Sequence, residues 1–240
     1  MGRPILPRLP RWLTVPLAGA ALGLALLAFS GCTPQSMLAS ALIPDGTTSI
    51  LLSHLQREED GNRKRIVELE SRKDWDGLVK VAEENLAKDK KNTGWWFVAG
   101  YSHSQAGRHQ RAIECFRTMA ELSPDDMAGW EMLARSYLAV GQPQRAAQTL
   151  NNALRVKDNS PMTWMLLGQS YDDLSRPDLA VGAYRAAIRL DEELAPAWFG
   201  VGQAYALLNR RVEFEQALKM LEKLKSPLAK DLAVKRPISR

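Results

Sequence analysis

The chain has 240 residues, of which 45% are hydrophobic and 25% are charged, as in a globular protein of one or two domains. Its formal net charge is +5, but Arg3, Arg8 and Arg11 stand in a leading segment of 31 residues that contains no acid. Without these three arginines the net charge falls to +2. A net charge this small gives poor support to nucleic-acid binding, and we expect no nucleic-acid partner.

The first 32 residues have the layout of a secretory leader. A basic start, 1–12, precedes an uncharged run, 13–29, which ends on Ser30, Gly31 and Cys32. The run of 17 residues is shorter than the roughly 20 that a membrane-spanning helix needs. We therefore predict a signal peptide. A permanent single-span anchor and a leader cut at another bond are the alternatives.

The last four residues of this segment, Phe29-Ser30-Gly31-Cys32, resemble the lipobox of bacterial lipoproteins. The resemblance implies that 1–31 is removed and that Cys32 is acylated and begins a short tether, 32–47. In Gram-negative lipoproteins a residue such as Thr33 after the cysteine implies transfer to the outer membrane, facing the periplasm. The inner membrane is the alternative location.

The rest of the chain repeats with a period of 34 residues. Within each repeat, a small residue follows a tryptophan by four positions and an aromatic residue follows it by seven, so the three columns form one stripe of a helix. Two more apolar columns, sixteen and twenty positions after the tryptophan, indicate a second helix that faces the first. The first three columns are Trp96, Trp130, Trp164 and Trp198; Gly100, Ala134, Gly168 and Gly202; and His103, Tyr137, Tyr171 and Tyr205.

This pattern resembles the tetratricopeptide repeat (TPR), whose units are antiparallel helix pairs. The resemblance implies an all-α solenoid, a right-handed superhelix, behind the signal peptide. We expect a degenerate unit before the four regular ones and a basic tail that frays after them. The predicted segments are an N-terminal helix with the degenerate unit, 48–92; four units, 93–126, 127–160, 161–194 and 195–228, together 93–228; and the tail, 229–240.

Each column has a predicted structural role. The small residues should let the two helices of a unit approach closely, and the tryptophans and tyrosines should fill the core. The corners between helices should lie at Gly107, Gly141, Ser175 and Asn209, where glycine and asparagine accept the left-handed conformation that ends a helix. Trp95 cannot share the face of its neighbour, so it is either an exposed contact or a brace against the preceding unit.

The sequence contains no recognisable catalytic constellation. His103, His109 and Cys115 could be imagined as a metal trio, but their spacing matches no metal motif, and Cys115 is better explained as a small packed side chain. Asp172 and Asp173 are adjacent on a helix, point in different directions and are interpreted as solvated carboxylates or helix caps. We therefore expect no enzyme activity, no cofactor and no metal.

The first helices of stacked TPR units line a concave groove, where a peptide or helix of a partner can lie. Residues beside the tryptophan stripe should face it, unless the two phenylalanines among them are ordinary packing residues. These predicted groove residues are Phe97, Tyr101, Glu131, Arg135, Met165, Gln169, Phe199 and Gln203.

These features together predict a lipid-anchored periplasmic adaptor that binds protein partners during envelope assembly. Similar proteins serve secretin and pilus biogenesis, outer-membrane protein insertion, polysaccharide export and peptidoglycan machinery. A glycan-binding protein and a self-associating structural lipoprotein are the alternatives, and the sequence leaves the oligomeric state open.

Overall fold

The computed structural model describes Leu51, Leu55 and residues 60–237, and in these residues it contains helices and no strands. This confirms the predicted all-α class. The helices are α1 (Asp60–Ser71), α2 (Trp75–Leu86), α3 (Thr93–Gln105), α4 (His109–Leu122), α5 (Met127–Ala139), α6 (Pro143–Val156), α7 (Pro161–Asp173), α8 (Pro177–Leu190), α9 (Ala195–Leu207), α10 (Arg211–Lys223) and α11 (Leu228–Ala233).

Each helix packs against the next one along the chain, as a solenoid of helix pairs requires. The regular units are α3 with α4, α5 with α6, α7 with α8, and α9 with α10. The first helices of the last three units, α5, α7 and α9, also touch one another in sequence. One apolar core runs through all units and includes Leu51 and Leu55, which are 0% and 2% exposed.

The corner inside each unit adopts a left-handed conformation, as predicted for the glycines and the asparagine, and Ser175 shares it. Gly107, Gly141, Ser175 and Asn209 have φ angles of 73°, 69°, 55° and 56°. Lys73, which precedes Gly107 by one period, has a φ of 54° and forms the same corner between α1 and α2. The degenerate unit therefore keeps the backbone turn of the others although it lacks their side chains.

The small column lies where the two helices of a unit touch. A Cβ atom added to Gly100 would lie 2.7 Å from the ring of Phe116, and one added to Gly168 would lie 2.7 Å from the ring of Tyr184. Because real Cβ atoms do not approach so closely, only glycine allows these aromatic rings to pack against the first helix. The close approach predicted from the small column is thus observed.

Trp96, Trp164 and Trp198 are half-buried and pack against the apolar core, and Trp130 is half-buried as well, so the prediction that the tryptophans fill the core is confirmed only in part. Each indole N–H donates to a backbone carbonyl six residues earlier, in the turn that joins two units, and this bond fixes the position of the ring. Trp95, by contrast, is 2% exposed and is therefore not an exposed contact. The acceptors for Trp96, Trp130, Trp164 and Trp198 are Lys90, Pro124, Asp158 and Glu192, at 2.8–2.9 Å.

The expectation that the chain frays after Pro227 is wrong for its first part, because α11 packs against α9 and α10. Leu232 is fully buried, and its side chain lies beside Gly202, where a Cβ would approach it to 2.5 Å. Arg236 forms a 2.9 Å ion pair with Glu215 of α10. This short helix thus covers the end of the core.

The leader 1–31, Cys32 and the tether 32–47 lie outside the described residues, so the predictions made for them stay predictions. None of the helices that the structure describes combines the length and the apolar character needed to cross a bilayer.

Candidate functional site

The predicted groove residues lie on the four first helices: Phe97 and Tyr101 on α3, Glu131 and Arg135 on α5, Met165 and Gln169 on α7, and Phe199 and Gln203 on α9. Glu131, Arg135 and Gln203 are half-buried. The other five are buried, at 2–7% exposure. The expectation that all eight face an open groove is therefore corrected for these five, which include the polar Gln169, while partner binding by this surface stays a prediction.

Aromatic packing accounts for part of this burial at α3. The rings of Phe97 and Tyr101 stack with their centroids 6.3 Å apart and 13° between their planes. Phe97 also packs against Phe116 of α4 at 6.1 Å, and Trp75 of α2 meets Tyr101 edge-on at 6.2 Å. Phe97 therefore acts as a packing residue, as the alternative proposed. Trp75 was not anticipated, because the degenerate unit has no tryptophan in the regular column.

Glu131 joins two successive units. Its Oε1 atom accepts hydrogen bonds of 2.7 Å from the hydroxyls of Ser160 and Thr163. The Ser160 hydroxyl also accepts a 3.2 Å bond from the backbone N–H of Thr163 and so caps α7. The sequence offered one signal for this cluster, a serine directly before the proline that opens α7. These bonds fix α7 relative to α5 and engage one of the two Glu131 oxygens.

Arg135 is the least satisfied charged group of this surface. Its Nη2 atom donates to the sulfur of Met162 at 3.1 Å, and among the described residues the guanidinium forms no ion pair. Burial lowers the pKa of Arg135, and Glu131 opposes that shift. A guanidinium carries five N–H donors, and a thioether is a weak acceptor. Most of the hydrogen-bonding capacity of this cation therefore remains for a carboxylate or carbonyl from outside.

Asp172 is not a solvated carboxylate, which corrects the sequence-based interpretation. The hydroxyl of Tyr184, itself 3% exposed, donates to Oδ2 of Asp172 at 2.7 Å, while Oδ1 is buried without a partner. Burial raises the pKa of Asp172 to about 7, against the opposing effect of the Tyr184 hydrogen bond and with a smaller contribution from Asp173. The neighbouring Asp173 is more accessible, and burial raises its pKa as well.

The described residues contain no group of three or more His, Cys, Asp or Glu side chains placed to bind a metal ion. Cys115 is 7% exposed, and burial raises the pKa of its thiol to about 11. The thiol is therefore protonated at neutral pH and poorly reactive, as expected of a packed side chain.

Solved structures share this fold. The chain is 23% identical to MamA over 69% of its own length and 97% of that chain, with a TM-score of 0.60. It is 19% identical to TTC0263, a thermophilic TPR protein of Thermus thermophilus, over 70% of its own length and 94% of that chain, with a TM-score of 0.56. It is 18% identical to YrrB, described as a TPR protein with an unusual peptide-binding site, over 69% of its own length and 87% of that chain, with a TM-score of 0.56. No curated protein matches the chain.

A family model for the tetratricopeptide repeat matches residues 97–161, 131–195 and 165–228, which together make up more than half of the chain. The matched stretches lie within the four regular helix pairs and share their period. The chain therefore belongs to the tetratricopeptide repeat family.

Proposed function

We propose that this protein is a lipid-anchored, non-enzymatic scaffold of the bacterial envelope, which holds a protein partner against the first helices of its repeats. Tetratricopeptide domains are protein-interaction scaffolds, and YrrB, a structural neighbour, is described as having a peptide-binding site. Tethering to the outer membrane by Cys32 would raise the local concentration of the domain beside its partner.

One observation carries the proposal, namely the half-buried Arg135, whose guanidinium has only a thioether as its hydrogen-bond partner among the described residues. A charged group that has little solvent and forms no ion pair within contact distance is costly, even with Glu131 nearby, and a bound carboxylate would relieve that cost. We therefore propose that the partner presents a carboxylate or carbonyl oxygen to Arg135, from a peptide or helix that runs along α5 and α7.

Arg135→Gln tests this proposal, with Arg189→Gln as the matched control because Arg189 is exposed on α8. The full chain is tagged and purified from crosslinked cells, and the bound envelope proteins are quantified against a wild-type sample. We expect Arg135→Gln to lose a specific set of partners about tenfold while its melting temperature stays close to that of Arg189→Gln. Equal recovery of partners by the two variants would contradict the proposal.

The anchor is tested separately. Cells fed an alkyne-bearing fatty acid should label the wild type and Cys115→Ser but not Cys32→Ser, since Cys115 is buried and Cys32 is the predicted acylation site. Fractionation of the envelope by density should then place the labelled protein in the outer membrane. Labelling that persists in Cys32→Ser would exclude acylation at this residue.

A further inference from the structure

The first regular unit differs from the other three in the aromatic column, where His103 stands in place of tyrosine. A cavity of about 380 Å³ lies beside His103, between α2, α3 and α4. Its volume lies at the lower end of the range of about 300–1,000 Å³ that is common for ligand pockets. Leu86, Trp96 and Ala99 supply apolar wall, and Glu83, His103 and Cys115 supply polar groups.

The next unit shows what occupies the equivalent position when tyrosine is present. Tyr137, one period after His103, is 6% exposed, and its hydroxyl accepts a 3.0 Å hydrogen bond from Nη2 of Arg117. Arg117 stands one period after Glu83. In the second regular unit, therefore, a buried phenol stands in the column of His103, and the residue in the Glu83 column holds its hydroxyl. In the first regular unit the smaller imidazole of His103 stands in that column, and a carboxylate replaces the guanidinium.

The polar groups around the cavity suit a hydroxyl that both donates and accepts. Nε of Arg108 donates to Nδ1 of His103 at 3.1 Å, so the neutral imidazole carries its proton on Nε2. Burial, followed by the positive charge of Arg108, lowers the pKa of His103 and so favours the neutral ring, while the Glu83 carboxylate acts in the opposite direction. Glu83 contributes an acceptor and His103 a donor, and a phenol hydroxyl can bond to both.

We propose that this cavity binds the side chain of a tyrosine from a protein partner, whose ring enters beside the smaller imidazole of His103 and whose hydroxyl bonds to Glu83 and His103. Glu83 and Lys90 are exposed, so the cavity opens to solvent and a ring can enter with its backbone outside. The site lies on the face of α3 that carries Trp96, Ala99 and His103. It is therefore separate from the proposed partner surface around Arg135 on α5, and it does not depend on that proposal.

The test uses the ¹⁵N-labelled full chain in detergent and the indole N–H resonance of Trp96, assigned with Trp96→Phe. We expect N-acetyl-tyrosinamide to shift this resonance saturably, and N-acetyl-phenylalaninamide, which lacks the hydroxyl, to bind about tenfold more weakly. No shift with the tyrosine amide, or equal binding of the two amides, would overturn the proposal. Binding of p-cresol without binding of the tyrosine amide would also overturn it, because the site would then admit only a free phenol.

Two variants separate recognition from folding. Glu83→Gln, on the exposed rim, should weaken binding of the tyrosine amide several-fold. Glu84→Gln should leave this binding unchanged, because the Glu84 carboxylate pairs with Arg65 at 2.9 Å. His103→Tyr should fill the cavity from within, abolish the shift of Trp96 and raise the melting temperature. A tyrosine-amide shift that survives in His103→Tyr, or that responds equally to both glutamate variants, would contradict the assignment.

Discussion

Replacing Asp172 by asparagine removes a carboxyl group that the fold holds in an unfavourable place. Oδ2 accepts a 2.7 Å hydrogen bond from the hydroxyl of Tyr184, and Oδ1 is buried without a partner. Asparagine keeps the shape and an acceptor for Tyr184 but cannot ionise. We therefore expect Asp172→Asn to be more stable than the wild type above neutral pH.

The size of the effect follows from the pKa of Asp172, which burial raises from 3.8 to about 7. Between these two pH values the unfolded chain has lost the proton and the folded chain still holds it, so the free energy of unfolding falls as pH rises. The fall is complete above the folded pKa and absent below 3.8. A rise of about three in pKa corresponds to a free energy of about 4 kcal/mol, which is the upper limit of the expected gain.

Urea unfolding of the full chain at pH 5, 6, 7 and 8, followed by helical circular dichroism, measures this difference. The stability gain of Asp172→Asn should be largest at pH 8 and should shrink steadily toward pH 5. Asp173→Asn serves as the control and should gain less, because Asp173 is more accessible and its carboxylate is better solvated. A gain that does not vary with pH, or a loss of stability at pH 8, would show that ionisation of Asp172 does not destabilise the folded chain.

Three further results are expected. Gly200→Ala should lower the free energy of unfolding by about 1–3 kcal/mol, because the added Cβ would overlap the ring of Tyr184. Gly182→Ala should raise the free energy of unfolding by about 0.5–1 kcal/mol, because a Cβ at Gly182 would have nothing within 4 Å. Chemical denaturation of the two variants measures both changes. Trp130→Phe should cost about 1 kcal/mol, observed in the same experiment, through loss of the indole hydrogen bond of 2.9 Å. Cys115, whose thiol pKa is about 11, should react with a thiol reagent only after denaturant is added, and rapid reaction of the native protein would contradict its burial.

The repeat architecture could be predicted because residues that recur every 34 positions mark the same helix contacts and turns in each unit. A glycine four positions after the tryptophan marks a close helix contact, as Gly100 and Gly168 show. Corner residues that tolerate a left-handed backbone mark the turns. The corner at Lys73 escaped prediction because lysine carries no such signal, although its position one period before Gly107 could have revealed it.

The burial of the predicted groove could not be read from the period. The position of a residue in the repeat predicts the direction in which its side chain leaves the helix, but it does not predict which neighbouring side chains cover it. Phe97 is covered in part by Phe116 and Tyr101, and Arg135 meets the sulfur of Met162, 27 residues away. Such contacts depend on how closely successive units stack, which is a property of the assembled solenoid.

The environment of Asp172 and the order of the C-terminal segment were missed for related reasons. Asp172 looks solvated beside Asp173, and only the reach of the Tyr184 hydroxyl across the helix pair shows otherwise. The segment after Pro227 looks charged and therefore solvated, but it contains Leu232, whose side chain packs beside Gly202 and holds α11 against α9. In both cases a single side-chain contact decided the local structure, although the polar composition of the segment suggested exposure to solvent.

The most direct test of the proposed partner surface is site-specific photocrosslinking in cells. A benzophenone side chain is placed at Gln203, half-buried on α9 within the predicted groove, or at Val212 on α10, which is 69% exposed. We expect a defined adduct from position 203 that disappears when Arg135→Gln is added, and no such adduct from position 212. The same adduct from both positions, or one indifferent to Arg135→Gln, would contradict the proposed partner surface.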